Sequence, residues 1–441
     1  VRSELNSYAA WLLSPRTDES YHAYDKFLKE YDPAIYNAWY TTTSNGTGFN
    51  ILFGYKLDDV VGEGGFGRVY QAEDTSGNKV AIKVLLSNIR HKPEMLQSFR
   101  RGVMSMKILS DAHVQGMVPY EFAAEIPACA VMKFIEGPNL SDAVKQGLVK
   151  DWRDIMEISV QLSDIIRRAH ALPQRVLHRD IRPPNIMLED FYTNGGEINL
   201  AVLDFDLSWH MGATELSVSH EGSANPYLAP EQLISDGKIS TRNDTVDSFG
   251  LGMTLYFLLA GKDPKIGQYG HANWGECVSR LATTRICPEW RSLPNRFSRL
   301  ILAATREAQP TRPDVAEIHG ECRRLLNAMK SPTQVRATDL IAEELACRAC
   351  YCLSQNNAYG WSNDAYSATM SFHSGLKVSI RGNETQRQIE MSLEWMGRGN
   401  VQYQNIRKYA STVLESVYSE CQHSGWSLLD KPSVQHDAIY Y

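Results

Sequence analysis

The chain has 441 residues, of which 43% are apolar and 22% charged, with a formal net charge of −6. This is ordinary globular composition at about three times the usual domain length, so more than one domain is expected. So mild a charge gives no reason to invoke a nucleic-acid or membrane partner, eight scattered cysteines do not make a disulfide framework, and the longest apolar stretch, 251–261, is too short to span a bilayer.

Sparse cysteine usage fits a reducing, cytoplasmic setting. No signal peptide is read at the start, and the Asn-x-Thr triplets at Asn45, Asn243 and Asn383 are read as accidental.

Residues 1–50 form an N-terminal extension rich in tyrosine and tryptophan. Short helices are expected over Ser20 to Tyr40, broken at Pro33, before a linker at 41–48. The aromatic content suggests docking on the rest of the chain or on a regulatory partner. Strands are predicted at Tyr55 to Val61, Arg68 to Glu73 and Lys79 to Leu85, joined by a glycine-rich turn and by turn chemistry at Asp74 to Asn78. An antiparallel meander follows. Met95, Phe99, Val103 and Met106 then fall on one helical face, and further strands are expected between Met117 and Phe134.

After Gly137 the pattern turns helical. Trp152, Ile155, Met156, Leu162, Ile165, Ile166 and Ala169 outline an amphipathic helix, and Val246 to Ala260 is apolar nearly all round, as in a buried helix. Residues 51–135 thus read as a small β-rich lobe and 136–329 as a larger α-rich one. Residues 330–441 read as a separate α+β module that regulates or recruits. It is predicted to hold helices at Ala337 to Cys352 and Val401 to Cys421, with strands at Ala368 to Phe372, Leu376 to Arg381 and Ile389 to Trp395. Cys347, Cys350 and Cys352 have the spacing C-x-x-C-x-C, but no second ligand pair stands nearby for zinc. Buried thiols on a helix are the better reading.

Five short motifs carry chemistry. Gly62, Gly64 and Gly67, with Val69, make a G-x-G-x-x-G-x-V run whose backbone can approach phosphate oxygens. It is flanked by strands, with no helix following, which argues against a dinucleotide-binding turn. Lys83 ends Val80-Ala81-Ile82-Lys83 one strand later. His178-Arg179-Asp180-Ile181-Arg182-Pro183-Pro184-Asn185, Asp204-Phe205-Asp206 and Ala229-Pro230-Glu231 follow in order. Together the five resemble the protein kinase superfamily, in its serine/threonine form, over about 275 residues.

The resemblance implies an α+β, bilobal kinase fold that uses ATP and Mg²⁺ and phosphorylates a protein substrate. Carried over residue by residue, it makes Lys83 the holder of the α/β-phosphates and Asp180 the group that accepts or orients the substrate hydroxyl proton. Asn185 and Asp204 become metal ligands, oxygen donors of the kind a hard cation prefers. Val69, Ala81 and Met187 would sandwich the adenine, Met132 would guard the back of its pocket, and the backbone of Lys133 and Ile135 would meet its edge. Arg182 stands where serine/threonine kinases place a lysine and can neutralise the transferring phosphoryl group. Asp247 resembles the buried anchor of the catalytic loop, and His178 reads as a packing element. Thr214, Ser217, Ser219 and Ser223 lie in the expected activation segment, where a phosphate would pair with Arg179.

Two departures bear on activity. The helix position at which the family carries a glutamate, partner of the strand lysine, is Gly102. The family's glycine after Asp-Phe is Asp206, which is expected to replace that glutamate in part by pairing with Lys83 or supporting Mg²⁺. These departures leave a pseudokinase, acting as a nucleotide-binding scaffold, as the alternative to an active enzyme. A small-molecule or lipid acceptor is a third reading, disfavoured by the peptide-docking look of 223–231.

Overall fold

The computed structural model describes residues 51–64, 66–86, 89, 92–125, 127–213, 225–233, 239–265, 274–290, 293–332, 358–363, 367–372, 376–383, 385–395, 421, 425–428 and 434–436. The extension over 1–50, the hydroxyls at 214–223, the helix expected at 337–352 with its cysteines, and all but the last residue of the helix expected at 401–421 lie outside these residues. The described residues fall into two compact units, one drawn from 1–150, 161–254 and 314–316, the other from 151–160, 255–313 and 317–441.

The first unit opens on the predicted meander. Strands β1 (Ile51–Leu52), β2 (Tyr55–Glu63), β3 (Gly67–Glu73) and β4 (Lys79–Leu85) pair in sequence order. With β5 (Tyr120–Glu125) and β6 (Ala128–Lys133) they complete a six-stranded sheet in the order β1-β2-β3-β4-β6-β5. Alternation sorts the faces. Val80, Ile82 and Val84 join Leu57, Ala72, Cys129 and Val131 in a buried cluster. Ala81 and Lys83 point to the other face. There Lys83 sits opposite Val69, and Ala81 opposite Met132.

Helix α1 (Pro93–Asp111) begins with proline in its first turn, where a missing N–H costs nothing. Its buried stripe includes Phe99, Val103 and Met106, as the 3.6-residue spacing predicts, with Met95 only half buried. Arg100 ties the helix to the end of β5 through a two-pronged bond to Glu125 (Nε–Oε1 2.6 Å, Nη2–Oε2 2.9 Å), with 3% and 1% of the two side chains exposed. Breaking such a buried pair strands a charge and typically costs about 3–5 kcal/mol.

Helices α2 (Leu140–Lys145) and α3 (Trp152–His170) follow. A two-stranded ribbon of β7 (Ile186–Leu188) and β8 (Leu200–Val202) lies between the loop that bears Asp180 and the one that bears Asp204. Short α4 (Pro230–Leu233) precedes α5 (Thr245–Ala260), which is buried along nearly its whole length, as its all-round apolar sequence requires.

Helices α6 (Trp274–Thr284), α7 (Leu293–Ala304) and α8 (Val315–Lys330) come next, and Trp152 meets Phe297 edge-on, with ring centroids 5.8 Å apart. In the second unit β9 (Ala358–Asn363), β10 (Ser367–Phe372), β11 (Leu376–Asn383) and β12 (Gln388–Trp395) form an antiparallel meander. Strands β13 (Ser427–Leu428) and β14 (Val434–His436) both run parallel to β12. The three strands expected at 368–372, 376–381 and 389–395 are here, and β9 is a fourth strand not expected from the sequence. No helix among the described residues is long and apolar enough to cross a membrane.

Candidate active site

The loop after α3 is built around one buried carboxylate. Asp247, in the first turn of α5 and 1% exposed, accepts bonds from the backbone N–H of His178 (2.8 Å) and Arg179 (2.6 Å) and from His170 Nε2 (2.8 Å). Burial alone would raise its pKa. The His170 bond and charge, with His178 and the Arg179 amide, outweigh burial and hold it below the ordinary 3.8.

So anchored, Arg179 adopts a left-handed backbone (φ +67°), and its carbonyl is held by Gln232 Nε2 at 2.9 Å. Such conformations persist only where surrounding bonds enforce them. Arg179 is itself pushed down to about 10, first by burial and then by the nearby Arg101, with Arg242 adding to the effect. His178 donates from Nε2 to Leu203 O (2.8 Å), accepts the Asp180 N–H at Nδ1 (3.2 Å) and packs its ring 4.8 Å from Phe205. It is a brace, as the sequence reading favoured.

The brace presents Asp180. Each of its carboxylate oxygens receives one amide: Asn185 Nδ2 reaches Oδ2 at 3.0 Å, and Asn225 Nδ2 reaches Oδ1 at 3.1 Å. Burial raises the Asp180 pKa above its ordinary value, against the opposing charges of Arg182 and His178. Asn185 also donates to the Asp180 carbonyl at 3.0 Å. Its amide nitrogen is therefore committed to Asp180, which turns its oxygen away as a free donor atom.

On the facing sheet, the Lys83 ammonium lies 2.7 Å from Asp204 Oδ1 and 2.5 Å from Asp206 Oδ2. Burial pulls the lysine pKa down, but the two carboxylates prevail and raise it. The carboxylates divide in turn. Burial favours the acid form of both; Lys83 nevertheless keeps Asp204 below its ordinary value, while burial and the neighbouring Asp204 charge push Asp206 up to about 6. Asp204, like Arg179, is left-handed (φ +65°).

Helix α1 supports this cluster with a polar face that the apolar stripe concealed. Ser98 Oγ donates to Asp206 O (2.5 Å), Arg101 Nε to Ser208 O (2.6 Å), and Ser105 Oγ meets His210 Nδ1 at 3.2 Å. Positions 98, 101, 102 and 105 share one face, and at Gly102 the segment comes closest. A Cβ there would stand 2.7 Å from the Phe205 carbonyl oxygen. The helix offers no glutamate to Lys83, and Glu94 sits exposed in its first turn.

Gly62 pairs with Val69 one residue before the end of β2, Gly64 N donates to Gly67 O at 3.0 Å, and Gly67 has no room for a side chain, since a Cβ would lie 2.5 Å from Val84 O. Ala81 and Met132 are 9% and 8% exposed, and Met187 is half buried on β7. Lys133 gives its N–H to Pro119 O (3.0 Å), and Ile135 is buried two residues on. Arg182 makes no direct bond to Asp180 among the described residues. Its Nε is buried without a protein partner, an orphaned donor of the kind an anion would satisfy. Asn225, Ser98 and Arg101 were not singled out from sequence, because polar residues on a helix or in a loop give no sign of their burial.

The donor set fits a divalent cation and a polyphosphate: an amide oxygen and a carboxylate for the ion, a buried ammonium and an orphaned guanidinium N–H for the anion. Comparison with known proteins gives this geometry its class. The protein kinase domain family model matches residues 55–322, and the chain belongs to that family. It is similar to the serine/threonine-protein kinase PrkC of Bacillus subtilis (29% identity, covering 60% of this chain and 39% of the relative). It is also similar to Pkn1 of Myxococcus xanthus (28%; 48% and 29%) and to serine/threonine-protein kinase A of Synechocystis (30%; 48% and 41%). The chain thus spans less than half the length of these relatives.

Proposed function

We propose that the chain is a serine/threonine protein kinase that transfers the γ-phosphoryl group of ATP to a hydroxyl of a protein substrate in the cytoplasm. One observation carries the reading. Asp180, held by two amides, and Lys83, held against Asp204, belong to one compact unit together with Asn185, whose amide oxygen faces away from Asp180.

In this reading Asn185 and Asp204 hold Mg²⁺, which when bound neutralises charge on the phosphates. Lys83 binds the α- and β-phosphates and is kept charged by its carboxylates. Gly62, Gly64 and Gly67 turn backbone toward the phosphates. Val69, Ala81 and Met187 enclose the adenine, Met132 closes the pocket behind it, and the Lys133 carbonyl and Ile135 amide meet its edge. Asp180 orients the acceptor hydroxyl and takes its proton. Burial raises its pKa above the ordinary value, and a positioned base of this kind contributes ~10²–10⁴ in rate. Arg182 supplies a donor to the transferred group.

The chain is divided in this reading into an extension over 1–50, a small lobe over 51–135, a large lobe over 136–329 and a module over 330–441 that recruits or regulates. Similarity to named serine/threonine kinases supports the acceptor class. Labelled ATP incubated with whole-cell protein tests the proposal. Wild type is expected to yield phosphoserine or phosphothreonine and Asp180→Ala none, with its nucleotide affinity retained. Equal labelling by the two proteins would overturn it.

A further inference from the structure

Gly102 and Asp206 are two departures from one family pattern, and they meet at one point. The glycine removes a carboxylate from α1 and lets the backbone of Phe205 and Asp206 lie against the helix, where any Cβ would collide with the Phe205 carbonyl. The aspartate places a carboxylate 2.5 Å from Lys83. Three side chains of the same helix face hold the segment around it: Ser98 on the Asp206 carbonyl, Arg101 on the Ser208 carbonyl, and Ser105 on the His210 ring. Arg101 also donates to Ser98 Oγ at 3.0 Å, so these supports brace one another.

We propose that Asp206 is the positioning residue of Lys83, doing from the Asp204-Phe205-Asp206 segment what a glutamate on the helix would otherwise do, with Gly102 as the clearance that makes the exchange possible. The two carboxylates on Lys83 are not equivalent. Asp204 is the more open, with 35% of its side chain exposed against 17% for Asp206. In the kinase reading, on which this inference rests, Asp204 is the one that a divalent cation recruits. Lys83 then needs a second counter-ion that stays in place, and Asp206 is the carboxylate within reach whose backbone is fixed by the helix. The alternative role for Asp206, direct ligation of the cation, is separable, because a residue that acts through Lys83 has nothing to act on once Lys83 is gone.

The test is a double-mutant cycle read by nucleotide binding. Affinity for a fluorescent ATP analogue with Mg²⁺ is measured in the full chain for wild type, Asp206→Asn, Lys83→Met and the double variant, with thermal melting as a check on folding. Asp206→Asn is expected to weaken binding about tenfold when Lys83 is present, as loss of a charge-assisted contact would, and less than about twofold in the Lys83→Met background. Asp206→Glu is expected to recover most of the loss. An equal loss in both backgrounds would assign Asp206 to the cation or to the fold, and no loss in either would remove its role; both overturn the proposal. If Asp206→Asn does not fold, Asp206→Ser takes its place in the same cycle. Phosphoryl transfer by the same proteins separates this inference from the one beneath it. Coupling without transfer by wild type would sink the kinase reading and leave the positioning role standing. Transfer without coupling would do the reverse.

Discussion

Replacing Gly102 with alanine sets a propensity gain against a packing loss. In an unobstructed helix interior this change stabilises by about 1 kcal/mol. Here the new Cβ falls 2.7 Å from the Phe205 carbonyl oxygen and 3.2 Å from its carbon, about 0.7 Å inside the distance of ordinary contact. The obstructing atoms are backbone, so relief requires the Asp204-Phe205-Asp206 segment or the helix to move. Overpacking of this kind costs ~1–3 kcal/mol, and the net expectation is a loss of about 1 kcal/mol, a fall in Tm of roughly 2–4 °C. The same shift withdraws Asp206 from Lys83. A misplacement near 1 Å is worth ~10² in rate, so kcat/KM for ATP is expected to fall by at least about tenfold. Urea denaturation and a phosphoryl-transfer assay on the same preparation give both numbers. An alanine variant that is about 1 kcal/mol more stable and fully active would refute the close approach and the reasoning built on it.

Two further outcomes follow from the loops. Asn225→Ala removes the amide from Asp180 Oδ1 and is expected to lower kcat about tenfold while leaving KM for ATP within twofold, because Asn225 touches the proposed base and not the nucleotide side; initial-rate kinetics check this. Asp247 has a folded pKa below 3.8, so its stabilising contribution is complete above the unfolded value and fades as pH drops through 3.8 toward the folded one. Asp247→Asn is expected to cost about 2–3 kcal/mol at neutral pH, through loss of charge-assisted bonds to His170, His178 and Arg179. It is also expected to flatten the acid limb of a stability–pH curve measured by denaturant titration.

How much of this was legible in the chain depends on the kind of signal. The sheet was legible because turn residues and alternation act locally: Asp74 to Asn78 closes β3 on β4, and glycines close β2 on β3. Lys83, Asp180, Asn185 and Asp204 were legible because their motifs are rigid in spacing, and the pairing of Asp206 with Lys83 followed from asking where a missing charge would be made good. The second face of α1 was not legible. Phe99, Val103 and Met106 announce a buried stripe, but Ser98, Arg101 and Ser105 are buried through bonds to backbone and side chains 105–108 residues away, which no local pattern records. Asn225 was read as part of a docking loop because its partner, Asp180, lies 45 residues upstream. His170 ends a helix, where a cation is common, and its service to Asp247 is a tertiary fact. Strand β9 was overlooked because its Gly360 and Asn363 dilute the alternation that marked its neighbours.

The bond from Lys133 N–H to Pro119 O has a consequence for chemistry aimed at the proposed nucleotide pocket. That donor is already spent, so in the kinase reading a heterocycle laid along this edge has only the Lys133 carbonyl to meet there and must bring its own hydrogen. Scaffolds that present only lone pairs at that point would be discriminated against before any question of shape arises. A fragment screen sorted by donor count would register the preference directly.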